Sequence, residues 1–232
     1  MNKELVRANF SRGAAVYDHE AFLQKELADQ LLATLADLCP TRILDLGCGT
    51  GYLTRRLAER YPRAFVVGVD LAPGMIEAAR RGPLRSVKYQ VADAECFDEG
   101  RYDLIVANAA LQWMDLPRVF SNVLKLLDPG GWFVFSTFGP RTLEELKACG
   151  FRVNNFPALD AIAERLAPFS KKRLQSEMIK QTFPGVRELI AHLRSIGANS
   201  PTVQITRPIT ASRRFPRPFA VTYEVIRGVA VK

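Results

Sequence analysis

Apolar residues along this chain follow two rhythms. From Leu5 to Leu38 they recur at three and four residues, as in Ala21, Phe22, Leu27, Ala28, Leu31, Leu32 and Leu35, which is the spacing of one helix face. Pro40 closes that region. Beyond it, short apolar runs alternate with helical stretches. Thr41–Leu46, Ala64–Val69, Ser86–Val91, Tyr102–Ala107 and Trp132–Thr137 read as five buried strands. Between them Thr50–Tyr61, the stretch from Pro73 to Arg81, and Leu116–Leu127 read as helices. Pro62 stops the first, and Pro73 and Pro117 sit in first turns, where a missing N–H costs nothing. Asp128-Pro-Gly-Gly131 predicts a turn.

Strands that are apolar throughout, rather than at every second residue, belong to a parallel sheet covered on both faces. Right-handed crossovers then predict an α/β fold with a doubly wound, Rossmann-like, mostly parallel seven-stranded sheet. Residues 1–40 are expected to form an N-terminal helical cap or lid, and 41–149 the core. A basic helical insertion is expected at 150–202, after the fifth strand, with helices at Thr142–Cys149 and Gly185–Ile196. Residues 203–232 are expected to complete the sheet edge with strands near Val203–Thr206 and Ala220–Val231.

Composition narrows the class. The 232 residues are 48% hydrophobic and 24% charged, which excludes a disordered chain, a collagen and a coiled-coil rod. The longest uncharged apolar stretches fall well short of the roughly 18 residues of a membrane span, so no membrane partner is expected. Met1–Arg12 lacks the apolar run of a secretory leader. Cysteines at 39, 48, 96 and 149 form no CxxC pair, and His19 and His192 lie far from any cysteine pair in sequence, so no metal site is expected. Reduced thiols and a cytoplasmic location are expected.

Charge is unevenly placed. Residues 1–140 hold 16 Lys and Arg against 17 Asp and Glu, whereas 141–232 hold 16 against 7, a net of +9. By charge alone such a surface suits a nucleic acid, an acidic protein or an anionic membrane. Lys171-Lys172-Arg173 and the group Arg213, Arg214 and Arg217 are its densest clusters.

The chemistry concentrates where the first strand meets its helix, at Asp45-Leu46-Gly47-Cys48-Gly49-Thr50-Gly51. Glycines there permit a tight turn and close approach of a ligand to the backbone. The spacing is G-x-G-x-G, not the G-x-G-x-x-G that seats a pyrophosphate. Asp45, just ahead of the loop, would repel a phosphate and suits an ammonium group. Asp70 ends the second strand, placed to accept hydrogen bonds from a ribose diol. Asp93 follows the third strand, where it can accept from an adenine amino group. An ammonium, a ribose and an adenine without a phosphate describe S-adenosyl-L-methionine.

The ordered set DLGCGTG, GVDLAPGMIEAAR, ADAE and YDLIVANAALQW resembles the class I S-adenosylmethionine-dependent methyltransferases over residues 40–140. That resemblance implies a cofactor site lined by Asp45, Gly47, Cys48, Gly49, Gly51, Asp70, Leu71, Met75, Asp93, Ala94 and Asn108. A narrower resemblance spans most of the chain. The run Phe10–Asp18, then Ala21–Gln24, Asn108–Trp113, Phe135–Leu146, Ile196–Ser200 and Thr222–Ala230 look like the malonyl-acyl-carrier-protein O-methyltransferases of biotin synthesis. Arg141, at a position where an acid is commoner, and a short stretch between Ser200 and Thr222 depart from the pattern.

The resemblance implies methyl transfer to the free carboxylate of a malonyl thioester on acyl carrier protein, a small acidic partner that the basic C-terminal part suits. A carboxylate is ionised at pH 7 and needs no general base, so positioning and removal of water remain. Tyr17, Gln112 and Trp113 are the expected walls and donors of the acceptor site, and Arg141 the expected carboxylate-orienting group. The two basic clusters are candidate docking residues, and the histidines receive no role. The alternatives are a methyltransferase for a small carboxylic acid, a quinone or RNA. No recognised RNA-binding module is present, and the fourth strand is followed by Asn108-Ala-Ala-Leu rather than an N-P-P-Y-type tetrapeptide, so nucleic acid is not the expected partner.

Overall fold

A computed structural model describes residues 2–82, 84–198, 203–204 (backbone only) and 215–232. The N-terminal helical region is two helices, α1 (Lys3–Glu20) and α2 (Phe22–Thr34), which meet at Ala21. Then follow β1 (Arg42–Leu46), α3 (Tyr52–Arg60), β2 (Phe65–Asp70), α4 (Pro73–Ala79), β3 (Val87–Val91), β4 (Tyr102–Asn108), a single 3-10 turn (Leu111–Trp113), α5 (Leu116–Leu126) and β5 (Leu127–Phe138). The rest comprises α6 (Glu144–Ala148), β6 (Arg152–Val153), α7 (Leu159–Arg165), β7 (Lys171–Phe183), α8 (Val186–Ser195), β8 (Val203–Gln204) and β9 (Phe219–Val231).

Seven strands form one sheet in the order β3-β2-β1-β4-β5-β9-β7. The first five are parallel, and β9 runs antiparallel to both β5 and β7. The order turns back on itself between β1 and β4, the switch point beyond which open α/β sheets hold ligands. Each central strand is buried on both faces, which explains its continuous apolar run. On one face Leu44, Val67, Ile105 and Phe133 pack with Val119, Phe120 and Val123 of α5. On the other Ile43, Val66, Leu104 and Val134 pack with Leu31 of α2 and Leu57 of α3. A third apolar cluster lies over the end of β5 and the start of β9, joining Phe138, Val221 and Tyr223 to Leu189 and Leu193 of α8 and to Leu23 of α2.

Three expectations need correction. Residues 150–202 are not helical throughout: Lys171–Phe183 is the thirteen-residue edge strand of the main sheet. With one neighbour only, β7 needs few apolar residues, and its charged positions guard the open edge against further pairing. The strand near Val203 does not join the main sheet. Val203–Gln204 pairs with Arg152–Val153 in a separate two-stranded sheet, and Thr206 lies outside the described residues. The turn expected at Asp128–Gly131 is instead an excursion within β5. Leu127 pairs with Tyr102 and Trp132 with Leu104, and the extra residues between them bulge outward.

Strand direction also relocates one charge cluster. Lys171 pairs with Val231, which faces Trp132 at the start of β5, so Lys171–Arg173 lie at the opposite end of the sheet from the switch point. Along a strand rising about 3.4 Å per residue, they stand roughly 30 Å from Gln181. Arg213 and Arg214 lie outside the described residues. No helix among the described residues is long and apolar enough to cross a membrane.

Candidate active site

Three neighbouring cavities that share lining residues lie at the carboxyl ends of β1, β2 and β4. The loop after β1 shapes them. Gly47 N–H and Cys48 N–H both donate to the Val69 carbonyl, at 2.8 and 3.0 Å, so the loop folds over the end of β2. Gly47 stands at φ +70°, and a Cβ there would sit 2.6 Å from the Ala110 Cβ, so both conformation and space demand glycine. Asp70, at the end of β2, ties the loop down: Oδ2 accepts from Gly49 N–H at 2.9 Å and Oδ1 from Ala72 N–H at 2.8 Å. Burial pushes its carboxyl above the usual range, against the pull of those two N–H donors.

The main cleft, about 670 Å³, is lined by Gly47, Gly49, Asp70, Leu71, Met75, Asp93, Ala94 and Asn108. A side cavity of about 410 Å³ branches from it past Gly47, Gly49 and Asn108, and holds Asp45, Cys48, Asp18 and Gln24. Asp45 is almost completely buried, and its Oδ2 accepts from Thr54 Oγ1 at 2.6 Å. Burial pushes its carboxyl up to about 7, opposed by the Thr54 hydrogen bond and reinforced by the charge of Asp70. Gln24 Oε1 is buried without a protein partner. An acid and an orphan acceptor lining one side cavity fit a ligand bearing an ammonium group, and the cleft beside Asp70 fits its ribose.

A third, inner pocket of about 560 Å³ lies on the far side of an aromatic row. Phe10, Tyr17, Ala109 and Trp113 line both it and the main cleft. Trp113 meets Phe10 edge-on at 5.3 Å, and Phe10 meets Tyr17 at 6.5 Å. Tyr17 lines all three cavities, and burial followed by the charges of Asp70 and Asp18 raises its phenol well above the usual value, so it stays a neutral donor.

Most of the residues singled out from the sequence meet here; Gly51 and Arg141 do not, and Gln112 does so with its amide already committed. Gly51 lines no cavity. It caps the start of α3 at φ +82°, where a Cβ would sit 2.5 Å from the Tyr89 hydroxyl, so both conformation and space demand glycine. Gln112 lines the inner pocket, but its amide is committed: Nε2 donates to the Ala109 carbonyl at 2.6 Å and Oε1 accepts from Thr137 Oγ1 at 3.0 Å. Arg141 does not reach the pocket. Its side chain is 58% exposed and forms a two-pronged pair with Glu144, at 3.1 and 3.0 Å, because an acid one helical turn ahead captures it. No Lys or Arg lines the inner pocket among the described residues. Asp93 lines the cleft with Oδ2 already held by Lys3 Nζ at 2.6 Å, and Lys3 also reaches Glu95 at 2.6 Å. An adenine amino group there competes with that ammonium.

Sequence reasoning missed Lys3, Phe10, Ala109, Gln181 and His192. Phe10 stands within the N-terminal block that carries the family resemblance. Ala109 has φ +48°, a strained conformation for a residue with a side chain, and marks the junction of cleft and inner pocket. Gln181 and His192 carry no local signal, since only the packing of β7 and α8 brings them in. Among the described residues no group of three His, Cys, Asp or Glu side chains is placed to hold a metal ion.

Comparison with known proteins agrees with this geometry. A methyltransferase-domain family model matches residues 43–131. The malonyl-[acyl-carrier protein] O-methyltransferase of Anoxybacillus flavithermus is 35% identical over 217 residues, covering 87% of this chain and 83% of that protein. The protein of the same name from Halorhodospira halophila is 34% identical over 259 residues, covering 99% and 88%. Among solved structures, the N-methyltransferase NodS of Bradyrhizobium japonicum in complex with S-adenosyl-L-homocysteine shares the fold at TM-score 0.59, with 16% identity over 98% of both chains.

Proposed function

Since the chain belongs to the malonyl-[acyl-carrier protein] O-methyltransferases, we propose that its cleft and inner pocket bring a malonyl carboxylate to the methyl group of S-adenosyl-L-methionine. The product is the malonyl methyl ester, still on acyl carrier protein, that primes the pimeloyl chain of biotin. The observation that carries this reading is the shared aromatic row. Phe10, Tyr17, Ala109 and Trp113 border both cavities, so a group in one meets a group in the other there.

Bound S-adenosyl-L-methionine supplies an activated methyl group on a sulfonium sulfur. Asp45 and Gln24 would receive its ammonium, Asp70 its ribose, and Leu71, Met75 and Ala94 the adenine end. The acceptor is already ionised at pH 7, so the chain has no proton to remove. Its task is to orient the carboxylate and exclude water. Tyr17 donates one neutral hydrogen bond to the carboxylate. Among the described residues no Lys or Arg lines the inner pocket, so none of them blunts the nucleophilic oxygen with a strong ion pair. Phe10 and Trp113 close the space and present aromatic faces toward the sulfonium.

Asp45 confers a pH dependence on cofactor binding. Its carboxyl, raised to about 7, must ionise to pair with an ammonium, so binding is favoured above that pH and weakens as pH falls through it. Calorimetry with S-adenosyl-L-homocysteine between pH 5.5 and 8.5 should show affinity falling by up to about tenfold per unit below pH 7. Asp45→Asn should remove the part of the decline centred near pH 7, and a wild-type profile that is already flat there would remove Asp45 from the ammonium site.

Carrier docking belongs near the mouth of the inner pocket. Lys171–Arg173 stand at the wrong end of the sheet for it. Arg217 is better placed, because its guanidinium lies beside Gly185 at the start of α8, with exposed Arg187 two residues on. The double variant Arg187→Glu with Arg217→Glu should slow methylation of carrier-bound malonate about tenfold more than that of malonyl-coenzyme A. Equal slowing of the two substrates would discard the docking assignment.

The reaction is tested with methyl-labelled cofactor and four parallel acceptors: malonyl-carrier protein, malonyl-coenzyme A, a small dicarboxylic acid and RNA. Base-labile label in the malonyl thioesters, with the carrier preferred, is the expected outcome. Label confined to the small acid or to RNA overturns the acceptor.

A further inference from the structure

The inner pocket has two ends. One is the aromatic row shared with the cofactor cleft. At the other, Leu23, Gln181 and His192 line both the pocket and an outer groove of about 910 Å³. This groove runs between the α1–α2 junction, the end of β7 and α8, which lines it with Glu188 and His192. We propose that it is the channel through which the thioester-bearing arm of the substrate reaches the inner pocket, with Gln181 and His192 flanking the arm at the threshold.

The inference rests on the carboxyl-methylation reading and follows from the shape of the acceptor. A malonyl group is three carbons long, with the reacting carboxylate at one end and the thioester at the other. If the carboxylate lies at the aromatic row, the sulfur and all that it carries leave by the opposite end. There the protein offers what a neutral, amide-rich pantetheine arm would use. Gln181 and Thr182 supply hydrogen-bonding side chains along the groove. His192 Nδ1 lies 3.3 Å from Glu20 Oε2, which steadies the ring at the threshold. Phe22 stands at the groove mouth with 69% of its surface exposed, the most exposed large apolar side chain among the described residues, and offers an apolar rest to the arm's methylene and methyl groups. Arg187 and Arg217 flank the same end of α8, where the arm's phosphate and acidic carrier would lie.

A surface cleft near Asn155–Pro157 also borders the inner pocket, through Gln112, Trp113 and Phe156. Its threshold is braced shut: Gln112 is hydrogen-bonded at both ends of its amide, and Trp113 is packed on Phe10.

The test compares two thioesters that differ only in the arm, malonyl-pantetheine and the S-methyl thioester of malonate. Thr182→Trp narrows the groove from an exposed strand position that lines the outer groove but not the inner pocket. It should lower kcat/KM for malonyl-pantetheine by about tenfold or more while leaving the S-methyl thioester within about twofold. Phe22→Ser, at an exposed site that the fold does not need, should raise KM for malonyl-pantetheine and leave kcat unchanged. Unchanged affinity for S-adenosyl-L-homocysteine verifies that both variants are folded. Equal loss on both thioesters, or none on the armed one, overturns the route. So does an arm-selective loss in Pro157→Trp, which moves the channel to the other cleft. A wild-type dimer that Phe22→Ser dissociates, with unchanged kinetics, would make the groove a contact between copies. If the wild type methylates neither thioester, the acceptor assignment itself fails and the route falls with it, which the wild-type assay shows before any variant is made.

Discussion

Tyr17→Ala is expected to lower kcat/KM for a malonyl thioester by about 100- to 1,000-fold, the largest single effect in the molecule. Its ring borders all three cavities, so truncation opens the ammonium cavity, the cofactor cleft and the acceptor pocket into one wet space. Water then solvates the nucleophilic carboxylate, and the reacting atoms lose the wall that aligns them. Tyr17→Phe separates the two contributions. It keeps the wall and removes one neutral hydrogen bond, a change of about 1 kcal/mol, or roughly fivefold to tenfold. The effect belongs in kcat, because the same ring faces cofactor and acceptor as they meet. Steady-state kinetics on the two variants decides it. If alanine and phenylalanine cost the same, the wall is irrelevant, and if neither costs anything, Tyr17 only packs.

Asp70→Ala should weaken cofactor binding by about 1–3 kcal/mol, the cost of removing a charged partner from hydrogen bonds that stay buried. Two losses combine. The carboxylate is the proposed acceptor for the ribose, and it also ties Gly49 N–H and Ala72 N–H together across the mouth of the cleft. Without it the glycine loop loses its anchor to the end of β2, and both N–H groups seek water. Asp70→Asn keeps the shape but can accept through only one oxygen, so its affinity should lie between the two. Calorimetry with S-adenosyl-L-homocysteine measures the series. Equal affinity across wild type, asparagine and alanine would show that the ribose lies elsewhere. Because burial raises this carboxyl, affinity should also decline toward acid pH in the wild type, in the same direction as for Asp45.

Much of the fold was legible because burial on both faces leaves a strong mark. Ile43 and Leu44 point to opposite sides of the sheet and are both fully buried, so β1 had to be apolar throughout. Strand β7 left no such mark. Its residues are half-buried at best, its pairing partners lie 36 to 60 residues further on, and its charged positions mimic a solvated loop or helix. The cofactor side of the site was legible for a related reason. A tight loop needs glycine at Gly47, and acids at strand ends are set by the strands themselves, so their spacing in sequence carries their placement in space. The acceptor side was not. Arg141 looked like a carboxylate ligand by its position after β5, yet Glu144 one turn later captures it at the surface.

The sequence by itself determined the doubly wound class, the glycine loop, the three acids at Asp45, Asp70 and Asp93, and the methyl donor they suit, because these depend on contacts within one strand–loop–helix unit at a time. Tertiary structure alone decided which side chains enclose the inner pocket and which charges stand near it. Phe10 and Tyr17 from α1, Trp113 after β4, Gln181 from β7 and His192 from α8 converge from places up to 180 residues apart. Antiparallel pairing through β9 carried Lys171–Arg173 to the far end of the sheet while bringing Gln181 to the pocket. Long-range packing and strand direction leave no local pattern, so only the folded chain shows that Lys171–Arg173 lie far from the inner pocket and that His192 lines it.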